Sequence, residues 1–328
     1  MGKFNYVIFG SSWDLYKCAY SSLFRRSDVK YISDPSEPLG ILSKLRRIHY
    51  SSTANRFFSL PLKGIWNHFY FKDSFQNSKP LCFIFFWGWI ANNNETHLTK
   101  YLQKHYPGCK CVLFLQDVVR SLYTNYPIKQ IKIDFDLVVS YDKNDCNKYG
   151  FLYHPTVLSP IDVKDVDTIE DCDVYFVGQD KGRLPLLVDI CKLLSSNGLK
   201  CDFYVVRVPI EKRIYCESIH YIDESFSYYQ NLQHVKKSKC LLELMQDEAV
   251  GYTFRTWEAI IYSKFLLTNN TEIINSPYYE SDKIFPFVSK DSISDLYCEL
   301  IKNGSCAEYQ NRDSIRPESL INFIENSI

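Results

Sequence analysis

The sequence predicts an α/β protein of two domains, each built on a parallel β-sheet. Three observations carry this expectation. Short apolar runs recur at residues 4–9, 30–33, 81–86, 111–115, 137–140, 173–178, 201–206, 240–245 and 265–268. Many are separated by stretches of helical periodicity, and strands alternating with helices argue for parallel sheets covered on both faces. The 328 residues are long for one domain and comfortable for two. Between residues 149 and 159 the periodicity breaks at His154-Pro155 and Ser159-Pro160, which reads as a crossover between domains. The chain is accordingly divided into 1–158 and 159–328.

In the first half, the strand at 4–9 runs into the loop Gly10 to Trp13 and a helix-like stretch at 14–24. The Gly-x-Gly-x-x-Gly fingerprint is absent there, which counts against a dinucleotide-dependent dehydrogenase. Helical patterns follow at 41–48, 95–106 and 128–133. The longest apolar run, 81–91, has about half the residues a membrane span needs. It reads as a buried strand leading into a turn at Gly88. The tail, 317–328, has the pattern of a short amphipathic helix.

In the second half, the apolar strand at 173–178 ends in Gly178 and is followed by Lys181 and Arg183. An amphipathic run at 186–194 and a strand at 201–206 complete a β-loop-α-β unit. Ligands of open α/β sheets sit at the carboxyl ends of strands, where these two cations fall. They are also ordinary for a solvated loop. The stretch 247–259, DEAVGYTFRTWEA, reads as a Gly-containing turn and a short helix between two strands. Gly251 permits a tight path, and Thr253 is placed to cap the helix. Free amides at a helix start favour a phosphate. Arg255 and Glu258, three apart, share a helix face. The first suits a diphosphate, and the second can accept two hydrogen bonds from a ribose diol. A surface Arg–Glu pair on a helix is the plainer reading.

Composition narrows the classes. Lys plus Arg and Asp plus Glu balance at 38 each, so no nucleic-acid partner is expected. The 12 Cys are dispersed, without Cys-x-x-Cys or zinc spacing, and no signal peptide precedes the first strand. Free thiols in a reducing cytoplasm are the expectation.

One stretch has unusual charge. Residues 41–72 carry Lys44, Arg46, Arg47, Arg56, Lys63 and Lys72, with no Asp or Glu, interleaved with Phe57, Phe58, Trp66, Phe69, Tyr70 and Phe71. Two readings fit. A cationic, aromatic surface could dock on an anionic membrane or hold a lipid-diphosphate acceptor. Alternatively, the aromatics face the core and the cations face water.

The order strand-Gly-x-x-Lys-x-Arg, helix, strand, then a Gly-turn-helix with Arg-x-x-Glu-Ala, then a strand ending in Thr268-Asn269-Asn270, resembles the C-terminal half of a GT-B glycosyltransferase. It is most similar to the spore-maturation-type group and to bacterial capsule and lipopolysaccharide biosynthesis transferases. The resemblance covers roughly residues 130–290. It implies two Rossmann-like parallel-sheet domains facing a central cleft, the first binding the acceptor and the second the nucleotide-sugar donor. By the same resemblance, Glu258 takes the ribose role, and Gly251, Thr253 and Arg255 lie near the diphosphate. Glu248 matches a first motif glutamate imperfectly, because it stands ten residues before Glu258 where the familiar motif has eight. The last helix packs back on the first domain in such enzymes.

The site expected from this reading gathers Gly178, Lys181, Arg183, Gly251, Thr253, Arg255 and Glu258, with Arg207 and Tyr221 near the nucleobase. Arg255 and Glu248 are its catalytic candidates in the second half. In the first, Asp117, in the loop Gln116 to Arg120 after a strand, could take the proton of an acceptor hydroxyl or simply cap the next helix. Gly10 to Trp13 could approach the diphosphate. Because a nucleoside diphosphate leaves well once its charge is stabilised, cations and a helix start suffice, and no metal or cofactor is expected. Asp171-x-Asp173 and Asp134-x-Asp136 have chelating spacing but precede strands, at the wrong end of a sheet. The expected partners are a nucleotide-sugar donor and a glycan or lipid-linked acceptor, with sugar configuration retained, in the cytoplasm or at the inner face of the membrane. A nucleotide-sugar epimerase or hydrolase, and a non-catalytic binding subunit, are the alternatives on the same fold.

Overall fold

The computed structural model describes residues 2–34, 37–51, 61–93, 98–119, 128–245 and 251–328. The chain divides into two compact units, one of residues 1–156 with 317–328 and the other of 157–316. Division thus falls two residues before the position read from the sequence, just after His154-Pro155. The C-terminal helix Pro317–Ser327 belongs to the first unit.

The first unit holds a six-stranded sheet of β1 (Asn5–Phe9), β2 (Val29–Ile32), β3 (Leu81–Phe86), β4 (Lys110–Leu115), β5 (Leu137–Ser140) and β6 (Leu152–Tyr153), in the order β2-β1-β3-β4-β5-β6. Every pairing is parallel. A strand covered on both faces reads as an unbroken apolar run, and all residues of LCFIFF in β3 are buried. The expected turn at Gly88 is instead part of a helix, Trp87–Asn93, that starts directly at the end of β3. Two elements inside or beside the supposed crossover, the helix Lys143–Tyr149 and β6, were too short to show periodicity.

The second unit holds β7 (Cys172–Gln179), β8 (Cys201–Val206), β9 (Ile219–Ile222), β10 (Ser238–Glu243), β11 (Phe265–Thr268) and β12 (Ile284–Pro286). The order is β12-β11-β10-β7-β8-β9, again parallel throughout. Strand order reverses between β7 and β10, and such a switch point opens a crevice beyond the carboxyl ends of the strands. Here the crevice begins inside the sheet. The β7–β10 register ends at Leu241↔Tyr175, although β7 continues to Gln179 and β10 to Glu243.

Candidate functional site

A cavity of about 210 Å³ occupies this switch point, lined by Phe176, Val177, Arg183, Leu242, Glu243, Leu244, Thr253, Phe254, Arg255 and Glu258. The structure therefore brings Arg183, Thr253, Arg255 and Glu258 together from two separate sequence motifs. Lys181 is close in sequence but exposed, at a positive φ of 47° beside Gly182 at 83°. This left-handed pair turns the chain from β7 into the helix Leu184–Ser196.

Arg183 is anchored by main-chain oxygens. Its Nη2 donates to Gln179 O at 2.6 Å, its Nε to Asp180 O at 3.2 Å, and its Nη1 to Leu244 O. One guanidinium thus ties the end of β7 to the end of β10. Among the described residues no carboxylate pairs with it, since Asp180 uses Oδ1 to accept the Leu184 amide at 2.8 Å. Burial lowers its pKa from the ordinary arginine value, and the Asp180 charge opposes that shift. Gly178 stands beside it: a Cβ there would come to 3.2 Å from the Phe176 ring and 3.7 Å from Arg183 Nη2.

Thr253 caps the helix Phe254–Ile261, as the sequence predicts: its Oγ1 accepts the Arg255 amide at 3.0 Å. The same hydroxyl donates to Glu243 Oε1 at 2.5 Å. Glu243, buried at the end of β10, also accepts from Thr256 Oγ1 at 2.8 Å and from Thr268 Oγ1 at 2.6 Å. Three hydroxyls from the capping turn, the helix and β11 therefore converge on one carboxylate. Sequence reasoning missed Glu243, one polar residue inside the apolar run 240–245.

Arg255 and Glu258 form a 2.9 Å ion pair on consecutive turns, but not at the surface. Glu258 is 2% exposed. Its Oε1 accepts from Asn231 Nδ2 at 2.9 Å, and its Oε2 from Arg255 Nη1. Burial pushes the Glu258 carboxyl above the ordinary glutamate range, and the Arg255 charge opposes that shift. Arg255 Nη2 reaches Val177 O at 3.2 Å, taking a strand carbonyl beyond the end of the β7–β10 ladder, and its guanidinium lies over the Tyr175 ring at 5.4 Å. Asn231 is delivered by the helix Tyr228–Lys237, whose capping box joins Ser227 and Gln230. Asn231, also missed, shares its Oδ1 between Tyr175 OH at 3.2 Å and Arg255 Nη1 at 3.4 Å.

Gly251 adopts φ 107°, a conformation that requires glycine. Its carbonyl accepts from Asn270 Nδ2 at 2.9 Å, and Asn269 Oδ1 accepts the Met245 amide at 2.6 Å. The Asn pair after β11 thus fastens both flanks of residues 246–250. Glu248 is one of these and lies outside the described residues, as does Arg120.

Arg207 and Tyr221 stand apart, at the ends of β8 and β9. Arg207 Nε donates to Asp223 O at 3.4 Å. Tyr221 OH accepts from Ile214 N at 2.8 Å and donates to Ile214 O at 2.7 Å, so it pins its own loop. Neither lines the cavity. In the first unit, Asp117 follows β4, is exposed, and accepts the Val118 amide at 2.8 Å. Gly10 is explained by close approach, because a Cβ there would lie 2.2 Å from the Tyr31 ring, while Trp13 is exposed. Asp171 and Asp173 sit at the start of β7, opposite the cavity, where they pair with Lys237 and Lys239 at 2.9 Å each.

No protein-family model and no curated protein matches this sequence. Solved structures do. A trehalose-6-phosphate synthase, studied with bisubstrate glycomimetics for glycosyltransfer with retention, superposes with a TM-score of 0.50 at 10% identity, over 98% of this chain and 97% of its own. The UDP-forming α,α-trehalose-phosphate synthase of Burkholderia vietnamiensis gives 0.49 at 8% identity, over 98% and 96%. The catalytic domain of starch synthase IV from Arabidopsis thaliana gives 0.45 at 8%, over 76% and 74%. The two six-stranded parallel sheets of this chain have the GT-B fold.

Proposed function

We propose that this protein is a glycosyltransferase that moves a sugar from a nucleoside-diphosphate donor to a glycan or lipid-linked acceptor of the surface-polysaccharide type. One observation carries the reading. At the switch point of the second sheet, Arg183 is fixed by three main-chain carbonyls, with no carboxylate bonded to it among the described residues, beside a Thr-capped helix start. A fixed cation and a helix N-terminus at a crevice are what a diphosphate leaving group needs.

In this reading the diphosphate lies against Arg183 and the start of the helix Phe254–Ile261, with Lys181 and Gly178 on the β7 side and Gly251 on the other. Glu258 offers its remaining lone pairs to the ribose diol. Arg207 and Tyr221 border the nucleobase. Arg255 sets the Glu258 carboxylate and the strand gap, adding charge to the leaving group across the cavity. Asp117 takes the acceptor proton, or the leaving phosphate does so, which would retain the sugar configuration as in the trehalose-6-phosphate synthase. Glu248 completes the sugar side of the site. The reaction needs no metal and takes place in the cytoplasm or at the inner membrane face; no helix among the described residues is long and apolar enough to span a bilayer.

The test is a panel of UDP-, GDP-, ADP- and CMP-sugars followed for nucleotide release with and without candidate acceptors. Acceptor-dependent release, unchanged by a chelator, supports the transferase. Donor isomerised without release identifies the epimerase alternative, and no donor binding identifies the non-catalytic one.

A further inference from the structure

Within the stretch 41–72, the described residues 41–51 and 61–72 expose several apolar side chains. Its helix Ser43–Tyr50 buries Arg46, whose Nε donates to Tyr70 OH at 2.9 Å and whose guanidinium lies 4.5 Å from the Tyr50 ring centre. The aliphatic residues point the other way. Leu45 is 57% exposed and Ile48 62%, three apart on one face of this helix, and Ile41, in the 3-10 turn just before it, is 89% exposed. Lys44 and Arg47, each one residue before an exposed aliphatic, are exposed too. A second set of apolar side chains, Leu62, Ile65 and Phe69, is exposed at 76%, 48% and 43%. The two segments are fastened together, since Trp66 Nε1 donates to His49 Nδ1 at 2.9 Å and His49 Nε2 meets Pro61 O at 2.8 Å. Trp66, Tyr70 and Phe71 do face inward, but aliphatic side chains stand outside among the cations.

We propose that this face docks on an anionic lipid bilayer, with the apolar side chains entering the acyl boundary and Lys44 and Arg47 meeting headgroup phosphates. Exposed Ile, Leu and Phe side chains flanked by Lys and Arg are the composition that enters the boundary between acyl chains and anionic headgroups. Long Lys and Arg stems extend along such a surface and keep their charges in the headgroup layer. Residues 41–72 contain no carboxylate to be repelled by anionic lipid. A second copy is disfavoured, because a two-fold contact would place the same cations against one another. The proposal extends the reading of a lipid-linked acceptor and is tested apart from it.

The experiment is co-sedimentation of the full chain with vesicles of phosphatidylcholine alone and of phosphatidylcholine with phosphatidylglycerol, at low and high salt. Binding is expected only to the phosphatidylglycerol vesicles, falling as salt rises. Ile41→Glu with Ile48→Glu, and Lys44→Glu with Arg47→Glu, should each lower the partition coefficient about tenfold or more. Melting temperature and nucleotide binding should match wild type in both variants, which separates this result from failure of the donor site. No sedimentation with anionic vesicles, binding unaffected by both variants, or a dimer on gel filtration that Ile48→Glu dissolves would each overturn the proposal.

Discussion

Arg255 and Glu258 form a buried ion pair inside the second unit, at 2.9 Å, with Asn231 bonded to both. A buried pair of this kind is destabilising chiefly when it is broken from one side. Glu258→Ala should therefore lower unfolding free energy by about 3–5 kcal/mol, because it strands Arg255. Replacing both residues by apolar ones of similar size should recover much of the loss. Urea denaturation of the single and double variants checks this.

Glu243 should behave as the organiser of the helix start. Glu243→Ala leaves the hydroxyls of Thr253, Thr256 and Thr268 without their shared acceptor. A loss of about 1–3 kcal/mol is expected for a buried group left unsatisfied. Thr253→Val should remove the cap for about 1 kcal/mol and weaken nucleotide binding as well, while Thr253→Ser preserves both. Calorimetry on the three variants separates the stability and binding effects.

The first unit should lose stability in mild acid through His154. Its Nδ1 meets Pro155 O at 2.8 Å and its Nε2 meets Ser319 Oγ at 3.3 Å, with Phe323 on the ring at 5.1 Å. A carbonyl only accepts, so Nδ1 carries the hydrogen and neutral Nε2 is left to accept from the serine. Burial holds the pKa below the ordinary 6.5. The unfolded chain then binds the proton first as pH falls. The stabilising effect is full above 6.5 and is lost as pH drops from there through the depressed folded value. His154→Asn should flatten this part of the melting-temperature profile.

Asp117 is exposed and bonds only its neighbour's amide among the described residues, so Asp117→Asn should shift stability by less than about 0.5 kcal/mol. As the acceptor base, its loss should lower kcat roughly a hundredfold or more while leaving nucleotide affinity intact. Equal kcat would return the role to the leaving phosphate.

Much of the sheet framework was legible because parallel strands buried on both faces are apolar throughout, as in 81–86 and 111–115. The capping role of Thr253 was legible for a local reason, since cap and amide are two residues apart. Glu243, Asn231 and the Asn269–Asn270 pair were not. Each acquires its meaning from a partner 10 to 27 residues away, through the strand order rather than through spacing. The same distance effect hid the inward turn of Arg255, which looked like a surface cation until Val177 and Asn231 were placed beside it. Short elements such as β6 and β12 carry too few residues for a period to emerge.

The central claim is that the β7–β10 crevice binds a nucleoside diphosphate. Isothermal titration of UDP, GDP and ADP into the wild type, Glu258→Gln and Arg183→Ala tests it most directly. Glu258→Gln keeps the side-chain volume and one acceptor oxygen for Arg255, while the charged acceptor for the ribose is gone. One diphosphate should bind the wild type and lose about 1–3 kcal/mol of affinity in each variant. Binding that both variants leave unchanged, or no binding of any of the three nucleotides, would contradict the account.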